Sequence, residues 1–177
     1  MAKQRKMVDF GYGEQVFDAA KGTLLVLDSF DAFTEHDLRQ ILELAERRRF
    51  SRIVLFPHNE KTLATLGVRD ASPFHRRVKE IESLLDDVRT DAYIRIDTFE
   101  EKRKKYTPME LILRHIGERH PGPYFLYLSA GYANAFAGFA SFPELIRGVR
   151  LIIHGSGGYA RHPMLEKFEK RCDFIES

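Results

Sequence analysis

Residues 24–38 read LLVLDSFDAFTEHDL, and this stretch decides the fold. Its first four residues form a short apolar run, which is typical of a strand buried on both faces of a sheet. From Leu38 onward, apolar residues recur every three or four positions, which predicts an amphipathic helix from about Thr34 to Arg48. In an open α/β sheet, ligands bind where a strand ends and a helix begins, and a helix N-terminus favours an anion.

Strands and helices alternate along the rest of the chain. Apolar runs predict further strands at Arg52–Pro57, Ala92–Ile96, Tyr124–Leu128 and Val149–His154. The second of these alternates in polarity, which predicts a strand near the edge of the sheet. Ser72-Pro73 and Thr107-Pro108 each combine a preferred helix cap with a preferred first helical residue. The segment from His58 to Ala71 is expected to be a polar loop, and Pro163–Arg171 a short terminal helix.

This alternation predicts an α/β fold with a parallel sheet that is covered by helices on both faces. One domain is expected over residues 23–177, after an irregular lead-in over residues 1–22. Eight residues in the apolar runs are expected in the core: Leu25, Val26, Ile53, Leu55, Phe125, Leu126, Ile152 and Ile153.

The composition excludes several classes of protein. With 28 basic and 26 acidic residues, the net charge is +2, which argues against a general nucleic-acid binder. The basic run Lys102–Lys105 is interpreted as a solvated loop, with a phosphate or RNA patch as the alternative. No segment approaches the ~20 apolar residues of a membrane span. The single cysteine, Cys172, favours a reducing compartment, so a cytoplasmic protein without membrane attachment is expected.

Several short motifs follow one another in a recognisable order. They are Leu27–Leu38, Phe56-Pro57 with Lys61, Ser72–Arg76, Lys105-Tyr106-Thr107, and the run from Tyr124 to Tyr159 with Phe139 and Pro143-Glu144-Leu145. In order and spacing they resemble the HIGH-type nucleotidyltransferases, and among these the bacterial nicotinate-mononucleotide adenylyltransferases. The resemblance covers about residues 23–160. It implies a Rossmann-like, doubly wound sheet with strand order 3-2-1-4-5.

The resemblance also implies functional residues. The catalytic positions fall at Thr34, His36 and Asp37; the nucleotide-binding positions at Ser29, Phe30, Asp31, Ser129 and Gly131; and the substrate-binding positions at Lys61, Arg76, Tyr106 and Thr107. For Lys61 and Arg76 the alternative is that they are solvated surface cations. Tyr106-Thr107 either lines a nucleotide pocket or simply begins a helix.

The implied ligands are ATP with Mg²⁺ and a mononucleotide or nucleotide-like small molecule. No tightly bound cofactor is expected. No metal site is expected either, because the histidines show no ligand spacing. The glycine-rich segment Gly155–Gly158 is interpreted as a strand-exit turn, since it lacks the lysine and the spacing of a P-loop. The pair Asp28 and Asp31 has the wrong spacing for a D-x-D phosphatase.

The positions at which this sequence differs from the family pattern are those that carry catalysis and phosphate binding in the family. Its H-x-G-H reads Thr34-Glu35-His36-Asp37 here, so His36 stands at the glycine position and an aspartate replaces the second histidine. Leu27 and Asp28 replace two glycines, and Gly131 replaces the acid of G-x-D. Nothing like I-S-S-T-x-I-R follows the last predicted strand up to Ser177.

Two classes of function follow from these differences. In the first, the protein kept the fold and pocket but lost efficient adenylyl transfer, and acts as a binding, regulatory or assembly component. In the second, it is a working adenylyltransferase in which His36 and residues recruited from elsewhere replace the motif. The sequence leaves open whether the chain forms a homo-oligomer or binds a protein partner.

Overall fold

Residues 22–176 form a six-stranded parallel sheet with helices on both faces. The computed structural model describes residues 22–176, so the expected lead-in over residues 1–22 lies outside the described residues, apart from Gly22. The strands are β1 (Thr23–Asp28), β2 (Arg52–Pro57), β3 (Ile94–Ile96), β4 (Tyr124–Ser129), β5 (Val149–His154) and β6 (Cys172–Ile175). Their order across the sheet is β3-β2-β1-β4-β5-β6, and every neighbouring pair is parallel.

Seven helices connect or flank the strands. They are α1 (Glu35–Arg48), α2 (Glu60–Thr65), α3 (Phe74–Asp87), α4 (Met109–Gly117), α5 (Ala130–Ala137), α6 (Phe142–Leu145) and α7 (Pro163–Lys167) within the described residues. Short 3₁₀ helices cover Phe99–Lys102, Ile146–Gly148 and Glu169–Arg171. None of the helices described between residues 22 and 176 is long and apolar enough to cross a membrane.

The predicted α/β class, the Rossmann-like parallel sheet and the strand order 3-2-1-4-5 are confirmed. β3 is an edge strand, as the alternating pattern predicts. Several predictions need correction at the local level. Ser72 and Thr107 are not the helix caps, because the N-cap residues of α3 and α4 are Pro73 and Pro108, without a side-chain cap hydrogen bond. The expected terminal helix over Pro163–Arg171 is α7 plus a 3₁₀ turn, and the chain then adds β6 beside β5. The segment after β2 is not a loop throughout, because the Asn59 side chain accepts from the Thr62 N–H at 2.8 Å and caps α2.

The core lies on both faces of the sheet, and β1 shows why its sequence is a continuous apolar run. Leu24 and Val26 face the layer of α1 and α3, whereas Leu25 and Leu27 face the layer of α4, α5 and α6. Seven of the eight predicted core residues are at most 1% exposed. The eighth, Phe125, is half-buried and packs edge-on against Phe50, with ring centroids 4.8 Å apart.

The strand register places the carboxyl ends of four strands at one edge of the sheet. Asp28 pairs with Pro57 at the end of β1 and β2, and Ser129 pairs with His154 at the end of β4 and β5. The loops that follow these residues therefore meet at the same edge, which is where an open α/β sheet binds its ligands.

Candidate functional site

The turn between β1 and α1 has an unusual backbone. Phe30 and Ala32 both have left-handed conformations, with φ of 62° and 60°. This region costs about 1–2 kcal/mol for a residue with a Cβ atom. The turn keeps Phe30 buried, 1% exposed, with its ring 4.9 Å from that of Phe33 in an edge-on contact. Burial of the aromatic side chain offsets the backbone cost and fixes the path into α1.

Thr34 and Asp37 form a capping box at the N-terminus of α1. The Thr34 side chain accepts from the Asp37 N–H at 3.2 Å, and Oδ2 of Asp37 accepts from the Thr34 N–H at 2.9 Å. The Thr34 hydroxyl also donates to the same Oδ2 at 3.0 Å. Two orphan backbone donors of the helix are thereby satisfied within the protein. Two of the three positions that the resemblance assigns to catalysis therefore stabilise the helix end.

A cavity of about 380 Å³ opens beside this helix end, on the face of the sheet that α1 covers. We call it the carboxylate cavity. Its polar lining consists of Asp28, Asp31, His36, Asp37, Gln40, Tyr127 and His154. His36 is exposed, and its ring forms no hydrogen bond to another residue between 22 and 176. The predicted residues His36, Asp37 and Asp31 thus share one cavity, whereas Thr34 does not line it.

Burial and charge shape the chemistry of this cavity. Burial raises the pKa of Asp28, although its Oδ1 accepts from the Ser29 N–H at 2.7 Å. Burial, together with the charges of Asp37 and Asp28, raises the pKa of Tyr127 to about 12, so the phenol stays protonated at neutral pH. Burial lowers the pKa of His154, whose ring stacks on that of Tyr127 with centroids 4.6 Å apart. The lining is therefore acidic overall at neutral pH.

A second cavity, of about 470 Å³, lies between α2, α4, α5 and α6 on the opposite face. We call it the aromatic cavity, since Tyr106, Tyr132 and Phe139 line it, together with Thr107 and Thr62. The Thr107 N–H donates to the Thr62 hydroxyl at 2.9 Å, which fixes this part of the wall. Tyr106 is 51% exposed at the rim. Aromatic walls of this kind suit a flat ring.

A fully buried polar network holds the inner wall of the aromatic cavity. His58 Nε2 lies 2.8 Å from the Tyr132 hydroxyl, and His58 Nδ1 lies 2.9 Å from Oε2 of Glu100. The other oxygen of Glu100 accepts from the Asn59 N–H at 2.8 Å. Burial raises the pKa of Tyr132 well above its ordinary value, so its hydroxyl is protonated. The carboxylate accepts on both oxygens, so Nδ1 of His58 carries a proton.

Arg77 joins the loops at this edge of the sheet. Its side chain is fully buried on α3, and its guanidinium donates to three carbonyl oxygens: Ser29 at 2.7 Å, His58 at 2.8 Å and Ser72 at 2.7 Å. These carbonyls belong to the segments that follow β1, follow β2 and precede α3. Burial lowers the pKa of Arg77, but an arginine side chain stays charged in proteins. Arg77 therefore fixes the backbone from which both cavities are built.

The other predicted site residues are dispersed. Lys61 is exposed on α2 and lines an open groove with His75 and Lys104, while Arg76 is exposed on α3. The Ser129 side chain caps α5 by accepting from the Tyr132 N–H at 3.2 Å. The Ser29 hydroxyl accepts from the Asp31 N–H at 3.0 Å. Gly131 lies beside Tyr159, whose hydroxyl is 3.4 Å from the position of an added Cβ.

Sequence reasoning missed Arg77, His58 and Glu100. A signal existed for Arg77, because it lies three residues after Phe74 and four before Ile81, on the apolar face of α3. Within residues 22–176 no group of three histidine, cysteine or acidic side chains is arranged to hold a metal ion.

The comparisons with known proteins show the fold and nothing finer. No protein-family model matches the chain, and no curated protein matches it by sequence. Among solved structures, it is similar to Plasmodium falciparum nicotinic acid mononucleotide adenylyltransferase complexed with NaAD. The TM-score is 0.68 at 16% sequence identity, covering 89% of this chain and 75% of that chain. The fold is nucleotidyltransferase-like.

Proposed function

We propose that this chain is a nicotinate-mononucleotide-adenylyltransferase-like binding protein in which adenylyl transfer is weak or absent. It binds a mononucleotide or nucleotide-like small molecule and acts as a regulatory or assembly component in the cytoplasm, alone or with a protein partner. The observation that carries the proposal is the carboxylate cavity, where acids surround the N-terminus of α1. The structural neighbour is complexed with NaAD, which supports a nucleotide-like ligand for this fold.

Electrostatics explain why transfer is expected to be weak. Adenylyl transfer depends on donors that stabilise charge on phosphoryl oxygens. Here Asp37 lines the cavity, and its carboxylate would face a triphosphate as a like charge. Two unit charges about 4 Å apart cost about 4 kcal/mol at an effective dielectric constant near 20. Thr34 and Asp37 are also committed to the helix cap and to each other, so neither is a free donor for phosphate.

The aromatic cavity is the better place for a flat ring. Tyr106 and Thr107 line it with Tyr132 and Phe139, which gives a nucleobase or pyridine ring three aromatic neighbours. This arrangement supports the interpretation of Tyr106-Thr107 as part of a ligand pocket. Lys61 and Arg76 are exposed outside both cavities, and they contact ligand only if the ligand extends beyond them.

A direct assay tests this proposal. The chain is incubated with nicotinate mononucleotide, ATP and Mg²⁺, and pyrophosphate release is followed, with an active adenylyltransferase in parallel to show that the assay works. We expect turnover far below about 1 per second, the lower end of the ordinary enzyme range of roughly 1–10³ per second. Turnover near 1 per second would contradict the proposal.

One observation favours the alternative of a working adenylyltransferase. His36 lines the carboxylate cavity with an exposed ring, so an imidazole is available where phosphate would lie. In that case the assay gives ordinary turnover, and His36→Ala removes it while Glu43→Gln, on the same helix, does not.

A further inference from the structure

The hydroxyl group of Tyr127 is a buried polar group that points to an occupant of the carboxylate cavity. Tyr127 is 6% exposed and lines this cavity, and its hydroxyl forms no hydrogen bond to any residue between 22 and 176. Asp28 and Asp37 line the same cavity. Buried side-chain polar groups in proteins nearly always have a hydrogen-bond partner. A molecule bound in the cavity would supply the missing one.

The carboxyl groups around Tyr127 are only partly used by the protein. Asp37 and Asp31 each accept hydrogen bonds on Oδ2, from Thr34 and from the Ser72 N–H at 2.9 Å. Their Oδ1 atoms accept none from the part of the chain that the structure describes. No lysine or arginine between residues 22 and 176 lines the cavity. The charge of Arg77 acts on Asp31 and Asp28, but its guanidinium donates to three carbonyls and to the Glu60 carboxylate, all outside the cavity.

The charge balance determines which ligand fits. Three acids converge on one cavity, and the histidine packed against Tyr127 is held neutral by burial. Arg77 is the nearby counter-charge for Asp28 and Asp31 but does not line the cavity, so a cation bound among the acids would lower the cost of holding their charges together. We propose that the carboxylate cavity binds a small organic cation, in which an ammonium or amidinium group is joined to a short hydrocarbon or a single ring.

The walls of the cavity fit the apolar part of such a ligand. Val26, Phe33 and Ile41 line it beside the acids, so a hydrocarbon or ring is buried while the cationic group meets the carboxylates. The volume of about 380 Å³ lies within the usual range for small-molecule sites, roughly 300–1,000 Å³. Cation binding here does not require the chain to bind a nucleotide or to transfer adenylyl groups.

Matched probes test this inference on the full-length chain. Benzylamine supplies the cation, benzyl alcohol is its neutral counterpart of similar shape, and sodium benzoate is the anion. Each is titrated into the ¹⁵N-labelled protein at neutral pH, and the amide signals of residues 28–37 are followed. We expect saturable shifts with benzylamine, at least tenfold weaker binding of benzyl alcohol, and no binding of benzoate. Benzylamine that binds no tighter than benzyl alcohol would overturn the inference.

Variants locate the binding. Asp37→Asn removes one charge and keeps a side-chain oxygen for the helix cap, and Asp31→Asn does the same for the contact with Ser72. Each is expected to weaken benzylamine binding at least threefold, whereas Glu43→Gln, an exposed acid on α1, leaves it unchanged. If Asp37→Asn and Asp31→Asn both leave the affinity unchanged, the cation does not bind here. That result leaves the proposed function standing, because the transfer assay and the ATP titration do not use these probes.

Discussion

Replacing Arg77 by methionine is expected to cost about 3–5 kcal/mol of unfolding free energy, the range seen when one partner of a buried charged network is removed. The guanidinium is fully buried and donates to the carbonyls of Ser29, His58 and Ser72 at 2.7–2.8 Å. Methionine fills the volume but leaves these three oxygens without donors. Each unsatisfied buried group costs about 1–3 kcal/mol.

The measurement is urea unfolding of wild type, Arg77→Met, Arg77→Lys and Arg76→Met. Arg76 is the adjacent exposed residue on α3, so its variant controls for the loss of an arginine from this helix. Lysine keeps the charge but cannot match the planar fork, so its variant is expected to fall between wild type and Arg77→Met. A cost below about 1 kcal/mol for Arg77→Met, the size of a single ordinary hydrogen bond, would mean that Arg77 does not hold the loops together.

Truncating Glu100 is the second change with a large expected effect. Glu100→Ala leaves the Asn59 N–H and the His58 Nδ1–H, both buried, without an acceptor. The expected cost is about 3–5 kcal/mol, a large part of the roughly 5–15 kcal/mol that stabilises a typical domain. Without Glu100 the His58 ring is no longer held in place, and His58 is the hydrogen-bond partner of the Tyr132 hydroxyl. The inner wall of the aromatic cavity should therefore become more mobile.

Glu100→Gln separates this network from a simple loss of packing. Glutamine can accept from the Asn59 N–H and donate to His58, whose other nitrogen then donates to the Tyr132 hydroxyl. In this tautomer both His58 nitrogens and the Asn59 N–H stay paired, while the Tyr132 hydroxyl hydrogen and one amide hydrogen of the glutamine lack an acceptor. We therefore expect the glutamine variant to lose less than half of what alanine loses in urea unfolding, and Glu101→Ala, at the exposed neighbour, to lose little. Equal losses for alanine and glutamine would show that the carboxylate charge, and not the pairing, stabilises the site.

The sheet was predictable because buried parallel strands have a distinctive sequence. β1, β2, β4 and β5 are near-continuous apolar runs, which follows from side chains alternating between two buried faces. β6 lacks this signal. It is a short edge strand, Cys172–Ile175, and its apolar sequence is interrupted by Asp173. The Asp173 carboxylate pairs with Arg48 on α1 at 2.7 Å.

The site was less predictable because it depends on polar residues in unusual surroundings. Arginine, histidine and glutamate are seldom fully buried, so Arg77, His58 and Glu100 carry no strong signal when taken singly. The capping box did carry a sequence signal, since a threonine (Thr34) followed three residues later by an acid (Asp37) marks a helix start. The resemblance assigns Thr34 and Asp37 to the positions of two catalytic histidines, whereas in the structure the two residues form a helix cap.

The role of Asp37 in keeping triphosphates out of the carboxylate cavity is tested most directly by calorimetric titration of ATP into wild type and Asp37→Asn, at one pH and one salt concentration. Asparagine keeps the helix cap and removes the charge that faces the cavity. We expect Asp37→Asn to bind ATP at least tenfold more tightly than wild type, a change of about 1.4 kcal/mol, and Glu43→Gln to match wild type. Micromolar ATP affinity in wild type, or an Asp37→Asn variant that binds no better, would contradict this role of Asp37.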